Sequence, residues 1–403
     1  MVTYPEDWKA VQLKDIGYIQ MCRRIFQDQT KKSGQIPFYK IGTFGGKADA
    51  YISRELFEQY RNMYPYPAKG DVLLSAAGTV GKTVIFDGRE SYFQDSNIVW
   101  LKVDESEIDR KFLYYFYKSF PWKALEGTTI GRLYNNIILN TDIHLPSFTE
   151  QQAIASVLSD FDKHIDNLTE LIDKKKAIRD GALEGLVSGK TRIEGFGGDW
   201  EEKTLKELCC LITKQTGFDY SAEIKPSLVL NKQEGVLPFI QNKDFEKCFI
   251  NFNTDFYIPR NIAEKYPRIL LDEVCLLISI SGRIGNVGVF NNEHTAFAGG
   301  AVGIAKLINP SLAEWCMYFL VSEQGQEQIF KHEKVGAQHN LTVADVRNLK
   351  IQIPPVEERE GIVNVLKSMD EEIESIEVEK QKMIQIREGA MDDLLTGRVR
   401  LEL

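Results

Sequence analysis

The chain has 403 residues, 43% of them apolar and 27% charged, an ordinary composition for a water-soluble protein of two to three domains. Its net charge of −9, from 49 Lys and Arg against 58 Asp and Glu, excludes a protein that holds nucleic acid by bulk charge alone. No apolar run reaches the ~18–20 residues that span a bilayer, the first residues lack a signal-peptide pattern, and the six cysteines and five histidines show no metal-ligand spacing. A cytoplasmic chain with reduced thiols, no membrane association and no metal is expected.

Residues 1–148 carry 19 basic and 17 acidic side chains, so this stretch is close to neutral and free to bear a basic face. Short runs rich in β-branched and aromatic residues alternate there with Gly, Asn and Asp. VLLS at 72–75, TVIF at 83–86 and IVWLKV at 98–103 read as strands and hairpins, and Arg110 to Ser119 reads as a helix. One long helix is then predicted over 149–190. Leu158, Phe161, Ile165, Leu168 and Ile172 step by three and four along it, an a/d seam. Thr149 with Gln152 resembles a capping box, and Gly189 reads as the stop. After a linker at 191–199, residues 200–356 repeat the mixed pattern, with helix from Leu312 to Phe330. Residues 357–397 repeat the long helix, with Leu366, Met369, Ile373, Ile376 and Met383 on its seam and Gly397 as its stop, and 398–403 form a tail. A helix of ~40 residues is ~60 Å long.

The similarity between halves is explicit. Residues 145–194 align without a gap on 353–402 at an offset of 208, with 16 identities in 50 pairs. These include Pro146/Pro354, Glu150/Glu358, Asp162/Asp370, Gly181/Gly389, Gly189/Gly397 and Arg192/Arg400. Trp8/Trp200, Pro37-Phe38/Pro238-Phe239 and Gly78-x-x-Gly81/Gly282-x-x-Gly285 pair at smaller offsets. The reading is an α+β chain of two tandem similar domains with an internal pseudo-two-fold. A lone amphipathic helix leaves its apolar stripe in water. The two long helices are therefore expected to pack together, antiparallel as the pseudo-two-fold demands, as a coiled coil joining the domains.

Two motifs suggest chemistry and fail on inspection. AAGTVGKT at 76–83 approaches a phosphate-binding loop, but Ala76 stands where Gly is needed, a strand pattern follows instead of a helix, and the second half lacks the Lys-Thr pair. A Gly-rich turn between strands is expected. Asn309-Pro310-Ser311 lacks the second Pro and the aromatic of an amino-methyltransferase site. No catalytic grouping repeats in both halves, so a non-enzymatic chain is expected. The acidic run Asp370, Glu371, Glu372, Glu374, Glu377 and Glu379 is read as a solvated helix face, or else as a docking surface for a basic partner.

LPSFTEQQAI from Leu145 to Ile154 and its partner from Ile353 to Ile362 resemble the start of the conserved helices in the specificity subunits of Type I restriction–modification enzymes. Arg359 departs from that pattern, where Gln is usual. LVSGK at 186–190 and LLTGR at 394–398 resemble the ends of those helices, and Trp8, Trp200, IPFYKIG at 36–42 and GDVLLSAAGTVG at 70–81 resemble segments of the family's target-recognition domains. The resemblance covers the whole chain. It implies a DNA-specificity subunit whose two recognition domains each bind half of a bipartite, asymmetric double-stranded target. The helix pair would set the spacing and dock two methyltransferase subunits, and restriction subunits would join them. S-adenosylmethionine, ATP and Mg would sit on those partners. Half-sites read from one face of B-DNA lie near ~34 Å apart, which a rigid helix pair can fix. A bivalent coiled-coil adaptor without nucleic acid is the alternative, and the acidic net charge leans toward it.

Under this resemblance, polar residues on divergent loops are candidate DNA contacts, Arg and Lys suiting guanine and phosphate, Asn and Gln suiting adenine. In the first half these are Lys40, Thr43, Lys47, Gln94, Ser96, Asn97, Arg132 and Asn135, with Ser75 and Lys82 from the Gly-rich turn. In the second they are Gln241, Asn242, Lys243, His294, Lys334, Gln338 and His339, with Ser279 and Arg283 from the equivalent turn.

Overall fold

The computed structural model describes residues 4–123, 131–246, 248–331 and 340–402. The chain divides into two compact units, Met1–Glu170 with Glu377–Leu403, and Leu171–Ile376. Both long helices contribute to both units.

In the first unit, β1 (Lys9–Gln12) pairs antiparallel with β9 (Asp142–Leu145). A four-stranded antiparallel sheet runs β2 (Gly17–Met21), β8 (Ile98–Val103), β5 (Val72–Ser75), β6 (Thr83–Ile85). A smaller sheet places β3 (Ile36–Tyr39) between β4 (Ala50–Ile52), antiparallel, and β7 (Tyr92–Phe93), parallel. The runs at 72–75 and 98–103 are buried on both faces, which is why they read as continuous apolar segments. Trp100 is completely buried from its place in β8. Helix α1 (Arg54–Met63) is capped by Ser53, and α2 (Arg110–Ser119) by Asp109, which accepts from Lys111 N and Phe112 N. A short helix α3 (Asn135–Leu139) precedes β9, and α4 (Phe148–Val187) is the first long helix.

The second unit repeats the plan. β10 (Glu201–Thr204) pairs with β19 (Lys350–Ile353). The main sheet runs β11 (Cys209–Lys214), β18 (Val302–Leu307), β15 (Cys275–Ser279), β16 (Val287–Phe290). The smaller sheet holds β12 (Val236–Ile240) between β13 (Tyr257–Pro259), antiparallel, and β17 (Ala296–Ala298), parallel, with β14 (Leu270–Leu271) beyond. The helix expected from Leu312 to Phe330 is two, α5 (Ala313–Val321) and α6 (Glu323–Lys331). Ser322 is extended at the break, and Gly325 leaves no room for a Cβ against the backbone of Phe319 and Leu320, so the two helices meet in close contact. After a short α7 (Val343–Arg347), the second long helix α8 spans Val356–Thr396.

Within each unit the long helices pack antiparallel. In the first, Ile154, Ala155 and Leu158 share a core with Leu394 and Leu395, and Asp162 meets Arg387 at 2.8 Å. In the second, Leu183, Leu186 and Val187 share a core with Ile362, Val363 and Leu366, and Lys175 meets Glu372 at 2.7 Å. Leu158, Ile165, Leu168, Ile172, Leu366, Ile373 and Ile376 are buried, and Phe161, Met369 and Met383 half-buried.

Candidate nucleic-acid interface

The residues shared by the two halves build one framework, made twice. Glu150 is buried at the start of α4, and Arg400 reaches it at 2.5 Å while also pairing with Asp7 at 3.0 Å and lying 5.9 Å from the ring centre of Trp8. In the second unit Glu358 is fully buried at the start of α8, Arg192 pairs with it at 2.7 Å, and the same guanidinium lies 5.4 Å from Trp200. Trp200 Nε1 donates to Glu358 at 3.2 Å, whereas Trp8 Nε1 has no partner among the described residues. Gly397 and Gly189, both at φ +70°, let the chain turn under Trp8 and Trp200 respectively. Pairing with Arg400 lowers the Asp7 carboxyl below its ordinary range. Residues 191–199 and 398–402 are thus not a plain linker and tail. Each carries the arginine that closes a clasp on its own unit.

A second shared contact ties each recognition domain to the helices. Tyr115 of α2 donates to Asp162 at 2.9 Å, and Asp162 holds Arg387. Tyr318 of α5 donates to Asp370 at 2.9 Å, and Asp370 holds Arg179 at 2.8 Å. Burial, then the neighbouring aspartate, raises both phenols. Arg179, Arg387 and both tyrosines escaped the sequence reading. Arg179 and Arg387 are identical at the 208 offset, and that identity was the signal available. Gln151 explains its own place in the shared segment. Its side chain accepts from Asp109 N at 2.9 Å and donates to the carbonyls of Glu107 and Pro146.

The Gly-rich turns are strand–turn–strand, as expected. Gly78 and Gly81 have φ of +66° and +87°, and Gly282 and Gly285 have +76° and +94°. The chain passes from the turn into β6 or β16, so no helix N-terminus faces a phosphate. Ser75 and Ser279 are removed from the candidate DNA contacts. Both are buried, and each hydroxyl accepts a backbone N–H across its turn, from Lys82 and Asn286 respectively, at 2.8 Å. Lys82 and Arg283 are exposed on those turns.

Each domain opens a cleft where the first strand of its main sheet ends. The strand registers make Met21 and Lys214 equivalent, since Met21 pairs with Val99 of β8 and Lys214 with Gly303 of β18, and Phe38 in the first cleft matches Phe239 in the second. The first is about 590 Å³, and Lys31, Lys32, Lys40 and Gln94 line it. Arg23 and Arg24 follow β2 at an adjoining hollow, Arg24 pairing with Asp95 at 2.9 Å. The second is about 580 Å³ and is lined by Lys214, Gln215, Thr216 and Gln241. Phe26, 58% exposed, lines the first.

Of the candidates, Lys40, Gln94 and Gln241 line these clefts. Lys40 pairs with Asp49 at 2.9 Å, Thr43 accepts from Lys40 N, and Gln94 accepts from Ile41 N, so all three also shape the loop. Lys47 is exposed on the same loop. Arg132 donates to the carbonyl of Ser96 at 3.2 Å, Asn97 accepts through its carbonyl from Ala76 N, and Asn135 is exposed at the start of α3. Asn242 donates to the carbonyl of Ser281 across to the Gly-rich turn, and Lys243 pairs with Asp255. His294 lies exposed between β16 and β17, away from the cleft lining. Lys334, Gln338 and His339 fall outside the described residues. Gln215, Arg23 and Arg24 were missed. They adjoin strand ends that carried no loop signature.

The family model for the Type I restriction modification DNA specificity domain matches twice, over residues 5–176 and 197–386. A putative type I restriction enzyme specificity subunit of Haemophilus influenzae is 54% identical over 162 residues, which span 40% of this chain and 42% of that protein. The putative MjaX specificity subunit of Methanocaldococcus jannaschii is 26% identical over 435 residues, 99% of this chain and 95% of that one. The crystal structure of a Type I restriction-modification S subunit from M. genitalium superposes with a TM-score of 0.60 at 17% identity, covering 100% of this chain and 98% of that one. The fold is shared throughout. No helix among the described residues is long and apolar enough to cross a membrane.

Proposed function

The chain belongs to the Type I restriction–modification DNA specificity family, and on that premise we propose that it selects the target of a Type I modification and restriction complex without catalysing a step itself. Each domain binds one half of a bipartite double-stranded DNA sequence through its cleft and the exposed loops beside it. The paired helices hold a fixed separation between half-sites and supply the surface for two methyltransferase subunits. S-adenosylmethionine then binds the methyltransferases. ATP and Mg serve the restriction subunits, and the assembly works in the cytoplasm.

One observation carries this reading: a repeated framework surrounds two equivalent clefts whose side chains differ. The glutamate–arginine–tryptophan clasps and the tyrosine–aspartate–arginine contacts occur in both units. The clefts do not repeat: Lys31, Lys32, Lys40 and Gln94 line the first, with Arg23 and Arg24 in the adjoining hollow, and Lys214, Gln215, Thr216 and Gln241 line the second. A repeated scaffold with divergent polar clefts suits two readers of two different sequences. The net charge of −9 is met by a division of labour, in which basic partner subunits grip most of the phosphates and this chain adds a few phosphate contacts and reads the bases. The methyltransferase extrudes its target base, so this chain needs only to place that enzyme.

The test is methylation mapping of DNA modified by the reconstituted methyltransferase complex with and without this chain. A bipartite motif with a constant spacer, present only with the chain, is expected. Methylation that does not depend on the chain, or a motif without two separated halves, overturns the reading.

A further inference from the structure

Gln215, the residue after β11, is 3% exposed and lines the cleft of the second domain, yet neither Nε2 nor Oε1 has a hydrogen-bond partner among the described residues. A primary amide offers two donors and an acceptor, and burying one unpaired costs stability. An apolar side chain of that shape would fold at least as well, so the amide answers to something outside the fold. The amide lies in the cleft wall beside Gly300, where a Cβ would stand 3.3 Å from Gln215 Oε1. Gln241 lines the same space, and exposed Lys214 adjoins it.

The equivalent residue in the first domain is Cys22, set by the registers of β2 and β11. It is buried, and burial pushes its thiol up to about 12, so it presents no charge and little polarity. Polarity at that cleft comes instead from Arg23, Arg24 and the lysines beside them. The two clefts therefore offer different hydrogen-bonding chemistry from one scaffold. A guanidinium fits the two acceptors on guanine's major-groove edge, whereas a side-chain amide, donor beside acceptor, fits N7 and N6–H of adenine.

We propose that Gln215 is a specificity-determining residue of the second domain and that it reads an adenine in that domain's half-site. The inference rests on the proposed function and adds to it a base and a reader. Gln215→Leu removes both hydrogen-bonding groups at nearly constant volume. Gln215→Glu keeps the shape but offers only acceptors, which suit the N4 amino group of cytosine.

The experiment compares the methylated motif written by the complete methyltransferase complex carrying the wild-type chain, Gln215→Leu or Gln215→Glu, alongside thermal unfolding of each chain. With the wild type, one half-site contains the adenine. With Gln215→Leu that single position becomes degenerate, discrimination there falls at least ~5-fold, the other half-site is unchanged, and the melting temperature is equal or higher. With Gln215→Glu the position shifts toward cytosine. An unchanged motif with both variants, loss spread over both half-sites, or an altered position that is not adenine overturns the proposal. A wild-type complex that writes no bipartite motif would instead remove the premise, so the two failures are distinguishable.

Discussion

Asp370 is the sharpest point at which to test how each domain is fixed to its helices. Its carboxylate binds Arg179 through Nε at 2.8 Å and Nη2 at 3.3 Å and accepts from Tyr318 at 2.9 Å. The Arg179 and Asp370 side chains are only 9% and 14% exposed. Asp370→Ala leaves the guanidinium held only by half-exposed Asp180 and the phenol without its acceptor in a nearly dry site, a loss of ~3 kcal/mol, the low end for a broken buried pair. The first unit provides an internal control. Asp162 and Arg387 make the same contact at 26% and 18% exposure, and Lys118 also lies 3.8 Å from Asp162. Water reaches that site, so Asp162→Ala should cost less, ~1–2 kcal/mol. Removing both charges together, as Arg179→Met with Asp370→Leu, should cost far less than Asp370→Ala alone, because no charge is stranded. Urea unfolding of the four chains, followed by far-UV circular dichroism, measures all three differences. A loss below ~1 kcal/mol for Asp370→Ala, or an equal loss for Asp162→Ala, would refute the reasoning from burial.

Further outcomes follow from the same architecture. Arg400→Gln opens the first clasp and should lower the melting temperature of the chain. Because Arg400 depresses the Asp7 carboxyl, that carboxyl's contribution is present above the unfolded value of ~3.9 and lost as pH falls through the lower folded value, so the acid limb of the stability curve should flatten in the variant. Gly81→Val should destabilise strongly, since φ is +87° and a Cβ would meet Trp122 at 2.6 Å; retention of the wild-type melting temperature would contradict this. Lys47→Glu or Arg283→Glu should weaken DNA binding by the assembled complex and reduce its salt slope by about one for each phosphate no longer neutralised, with assembly intact by gel filtration. Leu168→Asp with Ile376→Asp places a carboxylate in the seam of each unit and should abolish or change the tolerated half-site spacing, read from methylated motifs.

The long helices were legible because their signal is local and periodic. A seam of Leu, Ile and Phe at three- and four-residue steps has one reading, and the observed spans of Phe148–Val187 and Val356–Thr396 lie within three residues of those expected. The Gly-rich turns were legible for a similar reason, since positive φ and a following strand both leave residue signatures. The roles of single polar residues were not. Ser75 and Ser279 resembled phosphate contacts because a hydroxyl beside glycines can serve a ligand or close a turn, and only burial distinguishes these. The break at Ser322 was hidden because a single Gly325 in an apolar helical pattern does not show that two helices meet there in close contact.

What the sequence determined alone is the doubled plan: two related domains, two amphipathic helices, and identical pairs such as Glu150/Glu358 and Arg192/Arg400. Repetition and periodicity are properties of order along the chain, so order suffices to reveal them. Only the tertiary structure decided which of those residues meet. Arg400 closes on Glu150 across 250 residues and Arg192 on Glu358 across 166, and no local pattern encodes such a pairing. The same holds for the clefts. Gln215 and Cys22 occupy one position in two domains because strand register puts them there, and the burial that leaves one amide unpartnered arises from packing among segments far apart in sequence.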